Sequence, residues 1–124
     1  MRLRIAVIHS AYRASQPSGE DVVVSMQNDS LTARGHDVWL LERRSPESRF
    51  VSRHGVGSAN RLIFGFDRDL EHQLANLDPH CIIVHNLFPN FGWRWLEEFG
   101  PRTVAWIHNY RFACANGLFY RDNA

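Results

Sequence analysis

A chain of 124 residues makes one domain, with no room for two. Hydrophobic residues at 44% and charged residues at 22% are ordinary globular values and exclude a disordered chain. The 14 basic and 13 acidic residues leave a net charge of +1, too small a field to recruit nucleic acid. Every basic residue is arginine, which removes a Schiff-base lysine and a Walker-type phosphate lysine. Two cysteines, Cys81 and Cys114, are too few for a disulfide scaffold or a four-thiolate zinc site.

Arg2 and Arg4 precede an apolar run of only Ile5-Ala6-Val7-Ile8, shorter than the core of a signal peptide, so the start reads as a true N-terminus. No stretch approaches the ~20 apolar residues of a membrane span. These features predict a cytoplasmic protein with reduced cysteines.

Ile5 to His9 is a short apolar run rich in β-branched residues, the pattern of a strand buried on both faces. The Pro, Ser and Gly of residues 13–19 make a loop, and Glu20-Asp21 open a helix to about Arg34. That helix has an unusually polar centre, Gln27-Asn28-Asp29-Ser30, and Gly35 stops it. Val38 to Leu41 is a second buried strand. An arginine-rich stretch over 43–57 follows, with a weak strand signal at Phe50-Val51. Ser58 then caps a helix whose apolar stripe is Ala59, Ile63, Phe66, Leu70, Leu74 and Leu77, and Asp78-Pro79 end it. Cys81 to Val84 is a third strand, Phe91 to Phe99 a short helix closed by Gly100-Pro101, and Thr103 to Ile107 the last strand. The tail from Asn109 to Ala124 reads as loop. This alternation predicts an α/β fold: a Rossmann-like, doubly wound parallel sheet with Val7, Leu40, Ile83 and Ala105 in central strands covered on both faces.

Ligands of such sheets bind at the carboxyl ends of the strands. Three strands end there in histidine: His9-Ser10, His85-Asn86 and His108-Asn109. Adjacent strands lie ~4.8 Å apart, so these rings can reach one bound molecule, and imidazole suits a polyhydroxyl ligand. For His9 a plain strand cap serves equally well; the loops after His85 and His108 favour a site. Zinc would need three rings converging at ~2 Å, which successive strand ends seldom provide, and no metal is expected.

The first loop has no G-x-G-x-x-G, so a dinucleotide fingerprint is absent. Pro17-Ser18-Gly19-Glu20-Asp21 directly before a helix offers free N–H groups to an anion or hydroxyl, or is an ordinary helix start. Arg43, Arg44, Arg49 and Arg53 read first as a solvated loop and leave room for peripheral contact with an anionic inner membrane face. Trp93, Trp95 and Trp106 read as core rather than as sugar platforms. Cys114 sits in a loop with no visible base.

Together these residues resemble the N-terminal half of a glycosyltransferase family 4 enzyme of the two-domain GT-B fold. The resemblance is carried by Tyr12-Arg13 with Pro17 to Asp21, by Arg34-Gly35-His36-Asp37-Val38 and by His85-Asn86-Leu87-Phe88-Pro89. It continues through His108-Asn109-Tyr110-Arg111 and the run from Cys114 to Asp122. It spans nearly the whole chain. It implies a hexosyltransferase retaining the sugar's configuration, moving it from a nucleotide-sugar co-substrate to a sugar or lipid-linked acceptor, without metal or other cofactor. His108 would be the catalytic residue, and Ser18, Gly19 and Glu20 the donor-phosphate loop. His85, Asn86, Asn109 and Arg111 would bind the acceptor. The donor-binding C-terminal domain, with its paired glutamates, would lie outside residues 1–124, and the chain alone would be inactive. Ser18 stands where the family often has glycine, and Gln27-Asn28 where its first helix turns apolar residues inward. The competing reading is a non-catalytic α/β module binding a ligand or partner. A response regulator is excluded because no lysine is present.

Overall fold

The computed structural model describes residues 1–11, 18–45, 61 and 63–108. Four strands, β1 (Arg4–Ala11), β2 (Asp37–Arg44), β3 (Cys81–Asn86) and β4 (Thr103–Ala105), form one sheet in the order β2-β1-β3-β4. Every pairing is parallel. Helices α1 (Gly19–Ala33), α2 (Arg68–Leu77) and α3 (Leu96–Phe99) complete the described elements, with a 3₁₀ turn at Gly100–Arg102. The result is an α/β fold with an all-parallel sheet, consistent with a Rossmann-like architecture.

The strand period of two sorts the core into two layers. Ile5 and Val7 of β1 pack with Val24 of α1, joined by Leu31, Val38 and Ile83. Ala6 and Ile8 face the other way, onto Leu70 and Leu74 of α2 and onto Phe91, Trp95 and Phe99. Both faces of β1 are therefore covered, and every residue from Ile5 to Ala11 is buried. The same parity turns His9 toward α1 and Ser10 toward the opposite layer.

The central pair is β1 and β3. Leu40 and Ala105, expected in covered central strands, lie in the edge strands β2 and β4 and are exposed. A four-stranded sheet has two edges, and these two strands supply them. The helix expected from Ser58 to Leu77 is also corrected. Ser58 and Ala59 lie outside the described residues; Arg61, Ile63 and Phe64 are helical as expected, but the helix is interrupted at residues 65–67 and resumes as α2 at Arg68. Gly65, at φ +72°, breaks the run, and the Asp67 side chain accepts the Leu70 N–H as a new cap. Ile63 and Phe66 consequently leave the stripe and are exposed, whereas Leu70 and Leu74 are fully buried. The helix expected over Phe91–Phe99 contracts to α3, yet Phe91 and Trp95 stay in the core. β4 stops at Ala105 rather than Ile107. Phe50, Val51 and the tail from Asn109 onward lie outside the described residues.

Among the described residues, no helix is long and apolar enough to cross a membrane.

Candidate functional site

The three strand-end histidines converge on the α1 side of the sheet. His9 is sealed at 0% exposure and His85 nearly so at 7%. Their ring centroids lie 6.2 Å apart, edge to face, and His85 stacks on His108 at 4.9 Å. Trp106 stacks on His85 from the segment after β4, at 6.0 Å.

Each ring has a defined partner. The His9 Nε2–H donates to Asp21 Oδ1 at 2.8 Å. His85 Nε2 lies 2.7 Å from Gln27 Oε1, and His85 Nδ1 lies 2.7 Å from His108 Nε2. Asp21 and Gln27 both come from α1, on the stripe Asp21, Val24, Gln27, Leu31 that faces the sheet. Its polar members meet the histidines, and its apolar members enter the core.

This geometry accounts for the polar centre of the helix. A glutamine on a buried stripe must find a hydrogen-bond partner, and Gln27 finds His85. The sequence reading missed Gln27 and Asp21 as site residues. The available signal was the coincidence of polar residues with buried helical positions. Asn28 Oδ1 is likewise buried, with no hydrogen-bond partner among the described residues.

The electrostatics follow from burial. Burial pushes the His85 imidazole down to about 4, and the neighbouring His108 and His9 push in the same direction. His85 is therefore a neutral ring at physiological pH. Burial pushes the Asp21 carboxyl up, but bonds from the Ser18 backbone N–H and from His9 outweigh it and hold Asp21 below the ordinary carboxylate value.

Ser18 caps α1 in a closed box: its hydroxyl accepts the Asp21 N–H, and its own N–H donates to Asp21 Oδ2 at 2.9 Å. The negative end-charge a phosphate would supply there is already supplied by Asp21. Glu20 adds a second carboxylate in the first turn. Gly19 is exposed, and a Cβ there would meet nothing within 4 Å. Asn86 closes a local turn, its Oδ1 accepting the Phe88 N–H at 3.1 Å. Asn109, Arg111 and Cys114 lie outside the described residues, as do Arg49 and Arg53.

On the other face of the sheet end, Arg43 is not solvated as expected. It closes β2 and donates to both oxygens of buried Asp67 at 2.5 and 3.1 Å, and to Asp69 at 2.7 Å. Its guanidinium lies 4.5 Å from the centre of the Phe91 ring. Buried Asn90 donates to Ser10 and Ser45 hydroxyls beside it. Trp95 is core, as expected, but Trp93 and Trp106 are about half exposed.

A groove of about 380 Å³ opens beside the histidine pair, walled by Val84, Leu87, Phe88, Leu96, Trp106 and Ile107. Among the described residues no group of three or more His, Cys, Asp or Glu is arranged to hold a metal ion. Compared with known proteins, the chain matches no family model, no curated protein and no solved structure.

Proposed function

We propose that this chain forms the acceptor-side part of a retaining glycosyltransferase site of the GT-B kind, with a nucleotide-sugar as donor. The observation that supports it is the gathering of His9, His85 and His108 at the carboxyl end of a parallel sheet, where ligands of such folds bind. Transfer with retention develops positive charge on the sugar ring and negative charge on the departing phosphate. A neutral imidazole at that point hydrogen-bonds a sugar hydroxyl without adding cationic repulsion. In this reading His108 holds the transferred sugar, and Asn86, Asn109 and Arg111 line the acceptor side. His85, with both ring nitrogens engaged, supports His108 rather than touching the acceptor. The apolar groove beside the pair suits an acceptor with a hydrophobic aglycone. In this reading Gly19 meets the donor through its backbone N–H, because the Ser18 hydroxyl and N–H are both held in the cap.

The test has two arms. Ligand-detected NMR of the chain with a panel of glycosides and nucleoside diphosphate sugars should show saturation transfer to a glycoside, lost in His108→Ala. In a glycosyltransferase carrying this segment, His108→Ala should lower turnover roughly 10²-fold, the usual worth of one positioning contact. Wild-type turnover in that variant would remove His108 from the site.

The inward bonding of His85 favours a second reading, a small non-catalytic ligand-binding module. Binding of a non-sugar ligand in the groove, with no transfer activity in any longer protein, would select it.

A further inference from the structure

We propose that Gln27 is a positioning residue: through His85 it locks His108 into the tautomer that carries its proton on Nε2 and leaves Nδ1 as a lone pair. Two distances and the proton count of a neutral imidazole fix both tautomers. Gln27 Oε1 can only accept, so the 2.7 Å contact requires a proton on His85 Nε2. A neutral ring has one N–H, so His85 Nδ1 is an acceptor. Its 2.7 Å contact with His108 then requires the proton to sit on His108 Nε2. One side-chain carbonyl on α1 thereby sets the proton position two hydrogen bonds away, on a ring following β4.

The chain of bonds has a consequence for protonation. A proton on His108 Nδ1 would leave both relay bonds intact, since Nε2–H still donates. A proton arriving at His85 Nδ1 would break the bond from His108 and place two N–H groups face to face. The relay bonds are therefore compatible with a proton on His108 Nδ1 and incompatible with one on His85 Nδ1. The low value of about 4 at His85 agrees with this order. Among the described residues, the pair is also faced by His9 from β1, itself bonded to Asp21 of α1, and by Trp106 stacked from after β4. His9 donates its Nε2–H to Asp21 and competes for neither nitrogen of His85.

The lock rests on the proposed function only in placing His108 at the working end of the site. The experiment reads ring protons without any ligand, so its failure and the failure of the sugar-transfer reading are distinguishable. Long-range ¹H–¹⁵N correlation spectra of ¹⁵N-histidine-labelled chain, titrated from pH 8 to pH 4, should show a pyrrole-type Nε2 and a pyridine-type Nδ1 for His85 throughout the range above its own titration. His108 should carry its proton on Nε2 when neutral. Gln27→Leu should turn both His85 and His108 into tautomer mixtures. Gln27→Glu should restore the single His85 tautomer and raise the His85 midpoint by about one unit or more, as a carboxylate beside an N–H does. A wild-type His85 protonated on Nδ1 overturns the proposal, as does a folded Gln27→Leu with wild-type tautomers. If Gln27→Leu does not fold, the wild-type spectrum and the Gln27→Glu midpoint decide, and an unmoved midpoint overturns it.

Discussion

The two ends of the sheet use histidine in opposite ways. At the amino end, His36 and His80 each accept a backbone N–H of the first strand region: Leu3 N–H to His36 Nδ1 at 3.3 Å and Arg4 N–H to His80 Nδ1 at 3.0 Å. Around them the ion pairs are surface ones, Arg4 and Arg102 on Asp78 and Arg2 on Asp37. At the carboxyl end, His9 and His85 are buried and bond to side chains: Asp21, Gln27 and another histidine. A ring that satisfies main chain is replaceable by water. A ring that is buried and satisfied only by other titratable or amide groups is a structural liability unless the arrangement has a use. That contrast, more than the number of histidines, distinguishes scaffold from site.

The largest effect expected from breaking the carboxyl end is at Asp67. Its buried carboxylate accepts from Arg43, from the Gly92 N–H at 3.0 Å and from the Leu70 N–H at the start of α2. Asp67→Ala takes from the Arg43 guanidinium its buried carboxylate partner, leaving only the exposed Asp69 and the Asn90 carbonyl, and uncaps the helix. A loss of about 3 kcal/mol in chemical denaturation is expected, from the usual result of breaking a buried pair. Asp78→Asn at the amino end, where the carboxylate is exposed, should leave the denaturation midpoint near wild type. Equal losses in the two variants would abolish the distinction between the ends.

Acid is the next probe. Unfolded histidine binds its proton near 6.5, while His85 in the fold does so at about 4. Between those values the unfolded chain holds more protons, so stability falls as pH drops from 6.5 toward 4. Asp21, held below its ordinary value, adds to the loss in the same direction as pH falls through its folded pKa. The His85 contribution is on the order of 1–2 kcal/mol after allowance for partial solvent screening. Denaturation curves at pH 7, 5 and 4 measure it, and a profile flat to pH 4.5 would show that His85 is not sealed.

The legible part of this fold was the part set by local periodicity. β1, β3 and α1 were readable because the apolar runs, the acidic first turn at Glu20-Asp21 and the Gly35 stop all agree. Gly65 was not readable as a break, since the apolar spacing continues through Ile63 and Phe66 as if one helix ran on. Only the tertiary fit explains it: a Cβ at Gly65 would meet the Trp93 ring at 2.5 Å, and one at Gly92 would strike the Gly65 carbonyl. The edge position of Leu40 and Ala105 was hidden for a similar reason, because strand order is a long-range property. The strand-end histidines could be picked from sequence, but not their mutual bonding. Gln27 was visible as an anomaly and became meaningful only when its helix was laid over β3.

The amino-end histidines give the smaller predictions. His80→Ala should lose about 1 kcal/mol, the net worth of one hydrogen bond, because the freed Arg4 N–H lies where water can replace the ring. The ring signals of His85 and His108, and any ligand binding at the carboxyl end, should be unchanged. A shift in either would mean that the two ends communicate through β1.

His36→Ala is expected to have the smallest effect, about 0.5 kcal/mol, at the lower limit for a hydrogen bond. Its bond to Leu3 is longer, 3.3 Å against 3.0 Å, and Leu3 remains tied to the second strand through the Asp37 N–H donated to its carbonyl at 2.8 Å. The double variant sharpens the point. His36 leads into β2 and His80 into β3, and those strands flank β1 on opposite sides. The two imidazoles thus serve different donors on different edges of one strand and share no partner. Their losses should add to about 1.5 kcal/mol, as independent sites do. An excess over that sum in paired denaturation curves would show that the amino end is a coupled cluster like the carboxyl end, and that the chain carries two such networks.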